Sequence, residues 1–412
     1  MTTEKKRRIG VIGAGAAGCM AAIAAAGSGT EVLLIEGTKD GGRKILISGG
    51  GRCNVLPASV DVTRYVTDSS PNLLRKIVRA WPLPEQIAFF EKTLGIPLAE
   101  ETESVKLFPA SNKARDVRDG LLNHARARGV QVLLNARVRA LTRTHAGWTI
   151  GRDNGEPIDV DAVVLATGGL SVPATGSDGF GLDVLAGLGH TIHPTYAALT
   201  PLTCEPAVFA ALAGVSLTVT LTAKSERRSA IATGGFLFTH RGYSGPAVLD
   251  VSHVAVRSTQ EPGPRATIRV RWTPLGDAEW EAALKPSGAR TVSGAVRLEM
   301  PDRLASALIE SARVDPLRVL TELRRDERMR VIETLVRGEL PWTGDEGYKK
   351  AEVTGGGVSL AEIDPRTMES RKHPSLFICG ELLDAFGPIG GYNFFWAWAT
   401  GRAAGLGSAG IA

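Results

Sequence analysis

Short apolar runs punctuated by glycine dominate the first part of the chain. Residues 8–12 (R-I-G-V-I) form one run, residues 13–18 (G-A-G-A-A-G) a turn, and residues 31–36 (E-V-L-L-I-E) a second run. Between them, residues 16–26 carry no charge and are mostly alanine, which predicts a buried helix. Strand, glycine turn, helix and strand in about thirty residues predict a βαβ unit with a right-handed crossover. Helical patterns follow over residues 72–80, 84–94 and 113–128, the last with a basic outer face. Residues 130–134 read as a strand, residues 137–150 and 158–160 as a meander, and residues 161–166 (D-A-V-V-L-A) as another buried strand.

The pattern changes near His190. Residues 195–231 and 266–272 are rich in threonine and valine with alternation (V-S-L-T-V-T-L-T), the mark of antiparallel β-structure. Over residues 298–337 the apolar positions recur at three and four, as in helices. After Lys350 the glycine-rich strand-then-helix style returns, with a strand over 376–379 and a helix over 394–404. The expected fold class is α/β: a discontinuous nucleotide-binding domain (1–190 and 350–412) split by a β-rich insert (191–297) and a helical part (298–349).

Composition narrows the class. At 43% hydrophobic and 22% charged, the chain is neither disordered nor fibrous. No apolar run approaches the ~20 residues of a membrane span, and the basic residues 5–8 lead directly into a strand rather than a leader. A cytoplasmic protein with no membrane partner is expected. Lys and Arg exceed Asp and Glu by 48 to 43, too small an excess and too dispersed for a dedicated nucleic-acid stripe. The four cysteines, Cys19, Cys53, Cys204 and Cys379, are far apart and lack metal or dithiol spacing, so neither a zinc site nor a disulfide framework is expected. His190 and His193 lack a second pair, so the expectation for a metal is none.

The 48 glycines cluster, and the clusters mark candidate chemistry. In G-A-G-A-A-G, Gly13 permits a tight turn, Gly15 lets the backbone approach a pyrophosphate, and Gly18 lets the helix pack on the strand; Ala16 and Ala17 open that helix. Glu36 ends the next strand, where a carboxylate accepts from the ribose hydroxyls and repels a 2′-phosphate. The dinucleotide is therefore FAD or NAD. Two further segments select FAD: Ala166, Thr167 and Gly168 after the strand of residues 161–166, and Gly380 and Glu381 after that of residues 376–379. Gly391, Tyr392 and Asn393 then lead into a helix whose N-terminus suits the pyrimidine end of a flavin.

The motifs G-R-K-I-L-I-S-G-G-G-R-C-N, A-T-G-G-L-S-V-P-A-T-G-S-D-G, F-L-F-T-H-R-G-Y-S-G-P-A-V-L and G-E-L-L-D-A-F-G-P-I-G-G-Y-N-F-F-W-A-W-A-T-G run from residue 9 to 405 together with the first glycine turn. On these the sequence resembles the BaiN-type (YhiN-type) flavoproteins, also called aminoacetone-oxidase-like. The resemblance implies a two-part Rossmann-like FAD-binding domain carrying an inserted antiparallel, barrel-like β domain and a small helical domain. It also implies that Arg43, Lys44, Ser48, Arg52, Cys53 and Asn54 lie along the flavin, with Gly37, Gly42, Gly51 and Val138 completing the cofactor set. Phe394-Phe395-Trp396 departs from the family, where a more polar residue is common.

The expected activity is FAD-dependent oxidoreduction of a small-molecule substrate, with NAD(P)H or dioxygen as the other partner. A single G-x-G-x-x-G means that NAD(P)H would dock transiently rather than in a second Rossmann domain. A flavin-dependent tRNA-modifying enzyme and a non-enzymatic FAD-binding regulator stand as alternatives. Within the insert, the loop T-H-R-G-Y-S-G offers His240 and Tyr243 as proton donors and Arg241 as an anchor for a carbonyl or anion, or else is a plain β turn.

Overall fold

A computed structural model describes residues 6–102 and 105–411, so the N-terminal basic residues up to Lys5 lie outside the described residues. The chain divides into two compact units, Met1–Ala197 with Glu352–Ala412, and Ala198–Ala351.

The first unit is built on a five-stranded, all-parallel sheet in the order Leu376–Ile378, Ala162–Leu165, Arg7–Ile12, Thr30–Ile35, Gln131–Leu133. Ile9 sits opposite Val32 on one side and Ala162 on the other. These strands read as continuous apolar runs because both faces are covered. On one face lies the three-stranded antiparallel meander Val138–Arg143, Trp148–Arg152 and Ile158–Val160. Gly10 makes this fit: a Cβ there would stand 2.5 Å from the Ile150 side chain.

The helix Ala16–Ala25 packs against the last helix, Tyr392–Ala409. Small residues set the approach, since a Cβ on Gly401 or on Gly405 would lie 2.3 Å from the carbonyl oxygens of Ala17 and Ala21 respectively. Ala114–Ala127 also packs against the first helix, and it buries Val117, Leu121, Leu122 and Ala125. The expected helix over 84–94 is split: an α-helical turn Leu83–Ala88 continues into a wider turn, Phe89–Thr93.

The second unit holds a seven-stranded antiparallel sheet: Gly338–Glu339, Thr267–Arg271, Ser216–Lys224, Ser229–Phe238, Gly242–Ser244, Leu202–Thr203, Gly344–Asp345. Its two edge strands are consecutive in the chain. Between them, the Leu340 amide donates to Ile268 and the Thr343 amide to Thr203, so one segment ties both edges and curls the sheet closed. The helices Asp302–Ser311 and Arg325–Arg337 share one apolar core with this sheet through Leu304, Leu308, Val331 and Leu335. The helix Pro246–Gln260, not expected from the pattern of alternation, buries Val248, Val251, Val254 and Ala255. Its valines favour a strand by propensity, but Pro246 in the first turn and their spacing of three hold it helical.

Candidate functional site

The site lies at the carboxyl end of the parallel strands, where open α/β sheets bind ligands. Gly13 has φ of 101°, and a Cβ on it would stand 2.5 Å from the Ala166 carbonyl oxygen. A Cβ on Gly18 would stand 1.8 Å from the Gly13 carbonyl oxygen. No side chain larger than hydrogen fits either place. Gly15 caps the helix, and a Cβ there would meet nothing within 4 Å. The turn is thus closed toward the protein at Gly13 and Gly18 and open at Gly15, which is the geometry a pyrophosphate needs.

Three other segments meet this turn, and a fourth caps the last helix. Gly42 (φ 70°) donates its amide to the Ala14 carbonyl at 2.8 Å. Ala166 donates to Ile12 at 2.9 Å, and Gly168 follows with φ of 75°. Gly380 (φ 72°) abuts Ala17, a Cβ on it falling 2.9 Å from the Ala17 methyl. Gly391, with φ of 89°, caps the last helix over the Leu56 backbone.

At the nucleoside end, Glu36 accepts from the Ala14 amide at 2.9 Å, and from the Thr38 amide and hydroxyl at 2.8 and 2.7 Å. The carboxylate is locked to the glycine turn while keeping acceptor sites for ribose hydroxyls. Residues 135–138 run alongside: Ala136 donates to the Glu36 carbonyl at 2.8 Å and Asn135 to that of Thr38 at 2.9 Å. This brings Val138 and Gly37, the latter against Arg137, to the same end.

Along the other arm, Ser48–Gly51 forms a tight turn in which Gly49, Gly50 and Gly51 all have positive φ and are exposed. The turn is held from below by Cys53 (φ 63°), whose amide donates to the Ser48 carbonyl at 3.1 Å. Cys53 is fully buried and burial pushes its thiol to about 12, so it is a packing residue and not a thiolate. Asn54, with its amide turned to satisfy both ends, accepts from the Gly391 amide at 2.9 Å and donates to the Leu56 carbonyl at 3.3 Å. Arg43 pairs with Asp40 at 2.8 Å, and Arg52 pairs with Glu101 at 2.7 Å while lying over the Phe108 ring. Asn393 bonds both ways to the Gly387 backbone and so shapes its loop, and the Tyr392 hydroxyl accepts from the Asp61 amide.

The densest polar cluster joins residues far apart in the chain. The Lys44 ammonium donates to Glu381 at 2.6 Å and to the Ser171 hydroxyl. Glu381 also accepts from Ser171, and from the amide and hydroxyl of Thr354, both at 2.9 Å. Burial works against the Glu381 carboxylate, but Lys44 and these donors outweigh it and hold its pKa below the usual range. Ser171 and Thr354 escape sequence reasoning; the signal lies in their neighbours, the glycines at 168–169 and 355–357. A second anchor is Asp384, only 2% exposed, which accepts from the amides of Asp68 and Ser69 and the hydroxyls of Thr67 and Ser69. It fixes residues 67–69 to the C-terminal segment.

His190 bonds Glu362 at 2.9 Å and Ser370 at 2.9 Å, and burial lowers its pKa. Among the described residues no group of three or more His, Cys, Asp or Glu side chains is arranged to hold a metal ion. Among them too, no helix is long and apolar enough to cross a membrane.

In the second unit the T-H-R-G-Y-S-G loop separates into two parts. His240 and Arg241 are exposed, and Arg241 lies 3.8 and 3.9 Å from Glu205 and Glu346. Tyr243, expected as a proton donor, is instead a core residue: 1% exposed, packed on Phe236 and Phe238. Burial drives its pKa far above that of a free phenol. The alternation of the strand Gly242–Ser244 turns this ring inward, into the core of the second unit.

The sequence matches the family described as HI0933-like protein Rossmann domain over residues 7–407. It is 33% identical over 404 residues to a ribosomal RNA dihydrouridine synthase of Escherichia coli, covering 95% of each chain. It is 32% identical over 410 residues to a 3-dehydro-bile acid delta(4,6)-reductase of Clostridium scindens, covering 98% of this chain and 99% of that one. Among solved structures, a 3-ketosteroid delta1-dehydrogenase of Sterolibacterium denitrificans superposes with a TM-score of 0.51 at 11% identity, over 98% of this chain and 100% of that one, a likeness of fold. The glycine turn open only at Gly15, the carboxylate beside it and the exposed glycine turn of residues 49–51 fit an extended dinucleotide with a flat ring. The chain belongs to the HI0933-like Rossmann family of BaiN/YhiN-type flavoproteins, and it is an FAD-dependent oxidoreductase.

Proposed function

We propose that the chain reduces a carbon–carbon double bond conjugated to a carbonyl, with NAD(P)H as the source of electrons. The observation that supports this is the pair of relatives aligned over nearly the whole chain. Their substrates differ in size and kind, yet the chemistry in their names is shared. Dihydrouridine is uridine with the ring double bond beside a carbonyl saturated, and a delta(4,6)-reductase saturates bonds conjugated to a 3-oxo group. In both, conjugation makes the remote carbon a hydride acceptor and moves charge onto the carbonyl oxygen.

FAD supplies the hydride chemistry when bound. This chain's residues hold the dinucleotide: the turn of Gly13, Gly15 and Gly18 at the pyrophosphate, Glu36 at the ribose, and the Lys44–Glu381 pair with Gly391 at the ring end. The amide end of the 18-residue helix Tyr392–Ala409 favours negative charge on the pyrimidine side. His240 and Arg241, on their exposed turn, are assigned to substrate contact.

A base carried in RNA is a second reading, supported by the Escherichia coli relative. It runs against the dispersed charge of the sequence, which favours a small molecule.

The test is anaerobic. Purified protein should be yellow and release FAD on acid precipitation; a colourless protein that takes up no added FAD ends the reading. After reduction by NADH or NADPH, a 3-oxo-4-ene steroid should reoxidise the flavin and gain two mass units. Reoxidation by a uridine-containing ribosomal RNA fragment but by no small enone would select RNA instead. Reoxidation by dioxygen alone, with an amine as the reductant, would refute the proposal.

A further inference from the structure

Most cations around the cofactor site have a carboxylate of their own: Lys44 pairs with Glu381, Arg43 with Asp40 and Arg52 with Glu101. Lys106 does not. Its side chain is partly buried, and among the described residues its ammonium makes no hydrogen bond and no ion pair. Glu101 stands directly opposite it in the antiparallel pair of Leu98–Glu101 and Lys106–Pro109, yet turns its carboxylate to Arg52 at 2.7 Å.

We propose that Lys106 raises the reduction potential of the bound flavin, by holding a positive charge beside the part of the ring that becomes negative on reduction. Two observations place it there. A Cβ on Gly390 would lie 3.7 Å from the Lys106 Cε and 3.9 Å from its Cγ, so the stem runs along the loop that leads into the last helix. In the sheet, Lys106 also pairs with Pro57. Gly391, the cap of that helix, rests on the same spot: a Cβ on it would stand 2.4 Å from the Leu56 carbonyl carbon and 2.6 Å from the Pro57 nitrogen. Lys106 therefore meets the start of Tyr392–Ala409 through its side chain and through its strand neighbour.

Alone, this placement is unfavourable. The first turn of a helix carries a partial positive charge that repels a cation and attracts an anion. A partly buried ammonium beside it adds like to like, and only a negative charge relieves the pair. The pyrophosphate is assigned to the turn of Gly13, Gly15 and Gly18, at the other end of an extended dinucleotide, and the oxidised ring is neutral. Hydride transfer from an organic donor such as NAD(P)H breaks a C–H bond of the donor and forms an N–H bond at N5. The donor loses two electrons, and the ring gains them with one negative charge, spread over N1 and the C2 oxygen. Lys106 attracts that charge, so the reduced cofactor is bound more tightly than the oxidised one.

The experiment uses the FAD-loaded protein, Lys106→Met and Lys106→Arg, with midpoint potentials read anaerobically against a reference dye. Methionine keeps most of the stem and removes the charge. The preference for reduced over oxidised FAD should fall about tenfold in Lys106→Met, a two-electron potential lower by about 30 mV. Lys106→Arg, which keeps the charge, should stay close to the wild type. All three should retain oxidised FAD equally through gel filtration. Equal potentials in wild type and Lys106→Met overturn the proposal. So does an equal fall in Lys106→Arg, which would mean that shape and not charge is at work. Loss of oxidised FAD from Lys106→Met overturns it too, since Lys106 would then hold the neutral ring. None of these outcomes involves the enone, so the reductase reading stands or falls separately.

Discussion

Replacing Lys44 by methionine tests whether the cluster at the ring end acts as one unit. The ammonium stands 2.6 Å from Glu381, and the two side chains are 26% and 18% exposed. Removing one partner of such a pair leaves an uncompensated carboxylate, typically a loss of about 3–5 kcal/mol. Glu381 keeps its bonds from Thr354 and Ser171, which places Lys44→Met near the lower limit, about 3 kcal/mol. Glu381→Gln strands the ammonium instead and should cost a similar amount. The double variant Lys44→Met/Glu381→Gln leaves neither charge alone, so its loss should fall short of the sum by about 2 kcal/mol. Urea denaturation of the four proteins at fixed FAD concentration gives the cycle. The pH dependence has a definite sign. Glu381 has a lowered pKa in the folded protein, so its contribution is present above the unfolded carboxylate value and disappears as pH falls through the folded one. Additive single losses at pH 7, or a cycle unchanged down to pH 3, would refute the account.

Other expectations follow from the same geometry. Glu36→Gln should weaken FAD binding by about 1.5–3 kcal/mol with little change in circular dichroism; an unchanged titration isotherm would show that Glu36 only braces the turn. Gly18→Ala places a methyl on the Gly13 carbonyl oxygen and should abolish FAD retention, as read from absorbance after gel filtration. Tyr243→Phe should leave flavin turnover untouched and change stability by less than about 1 kcal/mol, whereas a large kinetic loss would restore it as an acid. Burial works against Glu362, but hydrogen bonds from Lys372, Thr191 and His190 hold its carboxyl at about 2. It should contribute about 3 kcal/mol above its unfolded value that is lost between about pH 4.5 and 2, so acid unfolding of Glu362→Gln should flatten over that window.

The parallel sheet was legible because its strands are buried on both faces and bounded by glycine, a pattern no exposed segment imitates. The dinucleotide turn was legible for the same reason: Gly13 and Gly18 stand where only hydrogen fits. What eluded the sequence shares one character. Tyr243 looked chemical because it sits between glycines, but the two-residue period of its strand points it inward, and a three-residue strand is too short to show that period. Ser171 and Thr354 are ordinary hydroxyls until the fold brings them within reach of Glu381, some 210 and 27 residues away in the chain.

The close seat of the last helix on the first has a consequence for biosynthesis. Residues Ala17 and Ala21 are made some 384 residues before the glycines that cover them, Gly401 and Gly405. At about 5–20 residues per second, the alanine face waits roughly 20–80 seconds for its partner. During that time the first helix has Ala114–Ala127 on one side and nothing on the side that Gly401 and Gly405 later cover. A chain stalled or clipped before the helix Tyr392–Ala409 leaves the face of Ala17 and Ala21 uncovered behind the nucleotide turn.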